Sequence, residues 1–401
     1  MMLSWDVPPR ATGGTAAHVA GLASALTAAG HDVVVLTIAD RPAELDATDP
    51  TGVRVLRTLV DMPWLPPAEI VARAASANHA VAKLGVRLHD ELEGWEPDVV
   101  HAHDWRLGWA ADTLAARYDV PFVLTMHGTE RVRHGGQLPL GPPTDVNSIE
   151  WWLAFQADRV ISPTRFIVEQ LITGFELDEA HVVHVPNGID PSQWREPTQP
   201  DGTAAGLDRP PSDPAPAPLV VSWGRVQYEK GFQVLARAMH GLRPRVPDVR
   251  SVIAGRGSYL PELQTQIDVE GVSDNIDLPG YLSHAELRSV IHRAGCVVIP
   301  SLYEPFGIVA LEALAAGAPL IVARTGGLAE LIAGTDAGLT FEPGNPDDLA
   351  DAIERVLTEP DLAAGLVANA RDLVERKYSW EAIAAATAAV YEEAGLVHRS
   401  H

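Results

Sequence analysis

Two glutamates, Glu304 and Glu312, frame the stretch SLYEPFGIVALEALAAGAPLIVA, and their settings differ. Glu304 ends a strand and loop, and Phe306, Gly307, Ile308 and Val309 then open a helix. The amides of a first helical turn have no carbonyl partner, so they form a ready anion site. Read alone, Glu304 complements the dipole of that helix. Glu312 lies inside the helix between Ala and Leu residues, where a carboxylate is costly unless hydrogen-bonded. Ribose hydroxyls would satisfy it; a narrow exposed stripe on a buried helix is the other reading. A second group is SWGRVQYEKGFQVL, with Arg225 and Lys230 in the loop before a helix that Gly231 opens. A guanidinium fork and an ammonium at a helix start suit a diphosphate; two surface cations near Glu229 are the alternative.

Smaller signals lie elsewhere. Gly13 and Gly14 precede a helix and let backbone approach a phosphate closely. HAHDW (101–105) and TMHGTE (125–130) close apolar strands on the side where ligands bind, so Asp104 and His127 could face a ligand; a structural loop histidine is the other reading of His127. His101 and His103 alternate within a strand end and read as structural. Eight of the ten tryptophans precede residue 197; indole stacks on sugar rings, which leans toward a carbohydrate acceptor. No G-x-G-x-x-G, P-loop, G-x-S-x-G, H-E-x-x-H or Asp-x-Asp pair occurs, and GRGSYL (255–260) does not complete a dinucleotide fingerprint.

The elements that must position these residues follow one grammar. MLSW, DVVVLTI, PDVVHAHDW, PFVLTMHG, ADRVISPT and HVVHVPNG are strand-like runs, with helices predicted over 106–117 and 165–173. Continuous apolar strands alternating with helices indicate an open parallel α/β sheet. The segment 197–218 holds seven prolines and no apolar periodicity, as a linker does. The grammar then restarts with LVVSWGR, RSVIAGRG, NIDLPGY, GCVVIPS and APLIVA, separated by predicted helices. One long helical stretch is predicted over 347–376, followed by the amphipathic tail SWEAIAAATAAVYEEAG. The expected organisation is therefore an N-terminal Rossmann-like domain over 1–196 and a Pro-rich linker over 197–217. A second Rossmann-like domain over 218–379 and a C-terminal helix over 380–401 complete it.

Bulk properties narrow the partners. A chain of 401 residues suits two domains. Thirty basic against fifty-three acidic residues give a net charge of −23, which repels nucleic acid and anionic membranes. No apolar run reaches the roughly 18–20 residues of a membrane span. The N-terminus lacks a signal-peptide pattern, so a cytoplasmic location is expected. The single cysteine, Cys296, lies in CVVIP and reads as a small core residue.

Taken together, E-x7-E at Glu304 and Glu312, G-R-x4-K-G at Arg225 and Lys230, PNGID at 186–190 and the GG loop with GHDV resemble retaining GT-B glycosyltransferases. More narrowly, the chain resembles glycosyltransferase family 4 and its glycogen-synthase-like bacterial members, with HAHDW, HGTE before RHGG, and IEWWL in support. The resemblance spans residues 3 to about 392. It implies a GT-B fold, α/β, with two Rossmann-like doubly wound domains facing a central cleft. It implies transfer of a hexose, glucose in the first instance, from a UDP- or ADP-type nucleotide sugar to an α-glucan. It further implies that Arg225 and Lys230 bind the donor diphosphate, and that Gly14 presents an amide to it. Glu304, with the backbone of Phe306, Gly307, Ile308 and Val309, would hold sugar hydroxyls and phosphate, while Glu312 would bind the ribose. His127 would contact the donor hexose, Asp104 would sit near the acceptor, and Tyr281 and Arg256 near the base. A front-face mechanism needing no metal or other cofactor is implied. Loop 131–145 carries no residue whose chemistry names the acceptor, and the first strand is shorter than the family's usual opening.

Three other readings compete. A small-acceptor glycosyltransferase differs only in whether product grows with repeated additions. A nucleotide-sugar epimerase would convert donor without acceptor, and a silent nucleotide-sugar binder would not turn it over. The intact Arg225, Lys230, Glu304 and Glu312 argue against the last two.

Overall fold

The apolar runs read above form eleven of the fourteen described strands of two separate sheets in a computed structural model that describes residues 1–9, 14–41, 46–48, 51–60, 62–194 and 218–400. The strands at 46–48, 54–59 and 339–341 are additional. Gly13 and the Pro-rich 197–217 segment lie outside the described residues. The chain divides into one unit of Met1–Gly188 with Trp380–His401 and another of Ile189–Ser379.

In the first unit the strands are β1 (Met2–Ser4), β2 (Val34–Ala39), β3 (Asp46–Thr48), β4 (Arg54–Leu59), β5 (Val100–His103), β6 (Phe122–Thr125), β7 (Arg159–Ser162) and β8 (Val182–His184). They lie in the order β3-β4-β2-β1-β5-β6-β7-β8, parallel except where β3 pairs antiparallel with β4. The chain moves outward from β1 to β2, then returns to place β5 on the other side of β1. That reversal leaves a crevice beyond the carboxyl ends of β1 and β5. All six residues of β2 are buried, as a central parallel strand requires.

The tail forms a helix, Trp380–His398, that packs on the helix Gly14–Ala28. Ile383, Ala384, Val390 and Ala394 share a buried cluster with Val19, Leu22 and Leu26. A Cβ on Gly21 would fall 2.2 Å from the Trp380 ring, so a glycine is needed there. Burying Ile383 and Val390 stabilises this packing by about 1.5–3 kcal/mol each.

The second unit contains β9 (Leu219–Trp223), β10 (Arg250–Ala254), β11 (Ile276–Gly280), β12 (Cys296–Ile299), β13 (Leu320–Ala323) and β14 (Leu339–Phe341). Their order is β11-β10-β9-β12-β13-β14, all parallel, with the reversal between β9 and β12. Cys296 is fully buried in β12, and desolvation pushes its thiol up to about 12, consistent with a core residue. The helical stretch predicted over 347–376 consists of two helices, Pro346–Thr358 and Pro360–Leu373. Pro360 disfavours helical backbone at the preceding residue, and Glu359 takes φ −111°, ψ 84°.

Candidate active site

The reversal in the second sheet places the loops after β9 and β12 side by side. Gly231 has φ +69°, and a Cβ there would lie 1.8 Å from the Pro300 carbonyl oxygen. The amides of Leu302 and Tyr303 both donate to the Glu229 carbonyl, at 2.8 and 3.3 Å. These contacts bring Lys230 to Glu304, Nζ to Oε2, at 2.7 Å. Both side chains are mostly buried, at 18% and 12% exposure. An ammonium has three donors, so Lys230 retains two for a ligand while paired with Glu304.

The helix Ile308–Ala316 begins beside this pair. Its cap, Gly307, has φ +92° and supplies no side-chain oxygen, so the Ile308 and Val309 amides remain for a ligand. A Cβ on Gly307 would meet Leu328 at 2.4 Å. Phe306 is packed into the core, which leaves only its backbone for contact with a sugar. One turn in, Glu312 Oε2 accepts from Trp223 Nε1 at 3.0 Å, at the end of β9. Burial pushes the Glu312 carboxyl up to about 7, against the pull of that indole N–H.

The remaining predicted residues of this unit line the same edge. The Gly255 amide donates to the Gly280 carbonyl (2.7 Å) and the Val226 amide to the Arg256 carbonyl (2.9 Å), joining the loops after β9, β10 and β11. Arg256 and Tyr281 are exposed there, in line with the strand order. Arg225 is also exposed and, among the described residues, forms no ion pair, so the two basic residues differ: Lys230 is held and Arg225 stands in solvent.

At the reversal of the first sheet, Asp104 follows β5 with φ 57°, ψ −179°, a backbone state costing of order 1–3 kcal/mol outside glycine. Its Oδ1 accepts from the His127 amide at 2.9 Å, and its own amide donates to the Thr125 carbonyl at 2.8 Å. Burial raises the Asp104 carboxyl, opposed by Arg133, the His127 amide and Arg106. A pocket opens at this point, lined by Ser4, Trp5, Asp6, Thr15, His103, Asp104, Trp105, Arg106 and Arg133. Gly14 is the first residue of the helix Gly14–Ala28, so its amide lies at a helix N-terminus.

His101 fits the structural reading, since its Nδ1 meets the Tyr391 hydroxyl and its Nε2 the Thr125 hydroxyl, both at 2.7 Å. His103 fits it less well. Its Nδ1 lies 3.4 Å from His127 Nε2, and its Nε2 is buried without a partner among the described residues. His18, not singled out from the sequence, joins them with ring centroids 4.7 Å from His127 and 5.3 Å from His103. Burial depresses His127 to about 4, and burial with mutual repulsion holds His18, His101 and His103 well below the usual range.

Trp223, His18, Arg133 and Glu150 were missed in the sequence. His18 left one trace, four residues after Gly14 and so one helical turn along the same face. Loop 131–145, which named no acceptor chemistry, supplies Arg133 to the pocket. Arg133 also donates to Glu130 at 2.8 Å, and Glu150 accepts from the Glu130 amide at 2.8 Å. Glu150 is buried, which pushes its carboxyl up to about 8.

Comparison with known proteins accords with this arrangement. Residues 12–193 match the model described as Glycosyltransferase Family 4, and residues 208–373 match that described as Glycosyl transferases group 1. The chain is 35% identical over 401 residues to the glycogen synthase of Mycobacterium tuberculosis, covering 98% of this chain and 94% of that one. The chain belongs to glycosyltransferase family 4. This glycosyltransferase is also 32% identical to the D-inositol 3-phosphate glycosyltransferase of Xylanimonas cellulosilytica, across 95% of this chain and 92% of the other. Sucrose-phosphate synthase from Thermosynechococcus elongatus superposes with a TM-score of 0.79 at 23% identity, covering 98% of both chains. The fold is thus GT-B, with two Rossmann-like parallel-sheet domains. Among the described residues no helix is long and apolar enough to cross a membrane.

Proposed function

We propose that this glycosyltransferase moves glucose from a nucleoside-diphosphate sugar to an α-glucan, with retention of configuration and without a metal ion. The observation that carries the reading is the Lys230–Glu304 pair beside the open N-terminus of the helix Ile308–Ala316. Cation, carboxylate and free amides within one loop cluster match a diphosphate joined to a sugar. Lys230 and Arg225 take the diphosphate, Gly14 offers it an amide, and Glu304 takes hexose hydroxyls. Glu312 binds the ribose, with Tyr281 and Arg256 at the base. His127 contacts the hexose and Asp104 serves the acceptor.

In the front-face route the acceptor hydroxyl oxygen bonds to the anomeric carbon on the face from which the diphosphate leaves. The bond from that carbon to the phosphate oxygen breaks, and the departing oxygen takes the acceptor proton. Charge develops on the diphosphate, so the cations and amides aimed at it are the main catalytic contribution. Lys230→Ala and Arg225→Ala are each expected to lower kcat by about 10² or more. Near-normal turnover in either contradicts the diphosphate assignment. Product anomeric configuration, followed by proton NMR, tests retention.

A second reading keeps the donor chemistry and replaces the glucan with a small anionic acceptor such as a sugar phosphate. Arg106 and Arg133 beside Asp104 in the first-unit pocket favour it, as does the likeness to the D-inositol 3-phosphate glycosyltransferase. Growth of product length with repeated turnover separates the two.

A further inference from the structure

His18, His103 and His127 come from three elements: the helix Gly14–Ala28, the end of β5 and the loop after β6. One nitrogen of each lies within 4.8 Å of the other two. His103 Nδ1 and His127 Nε2 stand 3.4 Å apart, long for a hydrogen bond between ring nitrogens. It is close to the tetrahedral edge of about 3.3 Å between two imidazoles ligating at roughly 2.0–2.1 Å. Neither nitrogen of His18 has a hydrogen-bond partner among the described residues, although the residue is only 5% exposed. Leaving buried polar atoms unpaired is costly, so a ligand that engages them is favoured. Asn187 lies beside His18, short of a well-formed hydrogen bond, and its own buried Oδ1 also lacks a partner. It suits the ring N–H that a metal-bound imidazole turns away from the ion. His103 also lines the pocket that holds Asp104.

We propose that His18, His103 and His127 form a three-imidazole site for a transition-metal cation of the zinc, nickel or copper class, with a fourth position open to a small ligand. Binding draws His18 in toward the other two rings. This is an inhibitory site rather than a cofactor site. Because His127 is assigned to the donor hexose, zinc should compete with donor; that corollary rests on the proposed function, whereas metal binding itself does not.

The test uses the full chain, stripped of metal and titrated first with Co²⁺ and then with Zn²⁺ alone. One equivalent of cobalt should give the visible absorption of tetrahedral coordination, bleached by zinc, and zinc should raise the thermal midpoint. His18→Ala and His103→Ala should each weaken zinc binding by at least about 10-fold and abolish the cobalt band. No saturable one-equivalent binding in the wild type, or unchanged affinity in His18→Ala, overturns the proposal. Should His18→Ala not fold, His127→Ala, from a half-buried loop, carries the same test.

Discussion

On the proposed ribose contact, Glu312 would couple its local environment to donor binding. Its carboxyl, raised to about 7 by burial, holds its proton below that pH. Ribose hydroxyls donate to the ionised form, so donor affinity should fall as pH drops below about 7. The donor KM of the wild type should rise over that range. Glu312→Gln should show a higher KM without the pH step, read from nucleoside diphosphate release at saturating acceptor. A wild-type KM that is flat between pH 5.5 and 8, on a scale of about one unit either side of such a shift, contradicts ribose contact through this group. The sequence showed a carboxylate stranded among Ala and Leu, and so a demand for a partner. It did not show Trp223, which is 89 positions away and reached only through the pairing of β9 with β12. His18 was hidden for a similar reason: a buried face of an Ala-rich helix gives no sign of which other histidines it will meet.

At the level of elements, the loops after β9 and β12 are held by backbone contact as well as by the Lys230–Glu304 pair. Gly231→Ala would place a Cβ against the Pro300 carbonyl, in a conformation that L residues rarely adopt. Destabilisation of about 1–3 kcal/mol is expected from overpacking alone, read as a lower urea midpoint at unchanged slope. Because the same contact positions Lys230, kcat should fall with it, even where the variant remains folded. Wild-type stability and turnover in Gly231→Ala would show that the two loops are not held as described. The sequence marked Gly231 as a helix opener, which it is, but the need for glycine arises from its positive φ and from the neighbouring loop after β12. The alternation of apolar runs and helices made both parallel sheets legible. The break at Glu359–Pro360 was not read from the sequence, although Pro360 supplies its physical reason.

Across the whole molecule, buried charge links stability to pH. Glu150 titrates at about 8 when folded and near 4.5 when unfolded. Between those values the folded chain holds the extra proton, so its contribution is full below about pH 4.5 and lost as pH rises through about 8. Glu150→Gln keeps an acceptor for the Glu130 amide and removes the charge. The variant should therefore gain thermal midpoint over the wild type as pH rises across this window. A constant difference across the window counts against a protonated Glu150. Such a group could not be identified from sequence, because Glu150 sits in IEWWL like any helical carboxylate and only the fold buries it.

The claim on which the account rests is metal-independent transfer from a nucleotide sugar. The most direct measurement is nucleoside diphosphate release from UDP-, ADP- and GDP-hexoses, with chelator present, with and without maltooligosaccharide. Release from a glucose donor that persists in chelator, rises with the oligosaccharide and is matched by longer chains is the expected result. No release from any donor, or release that requires a divalent ion, contradicts it.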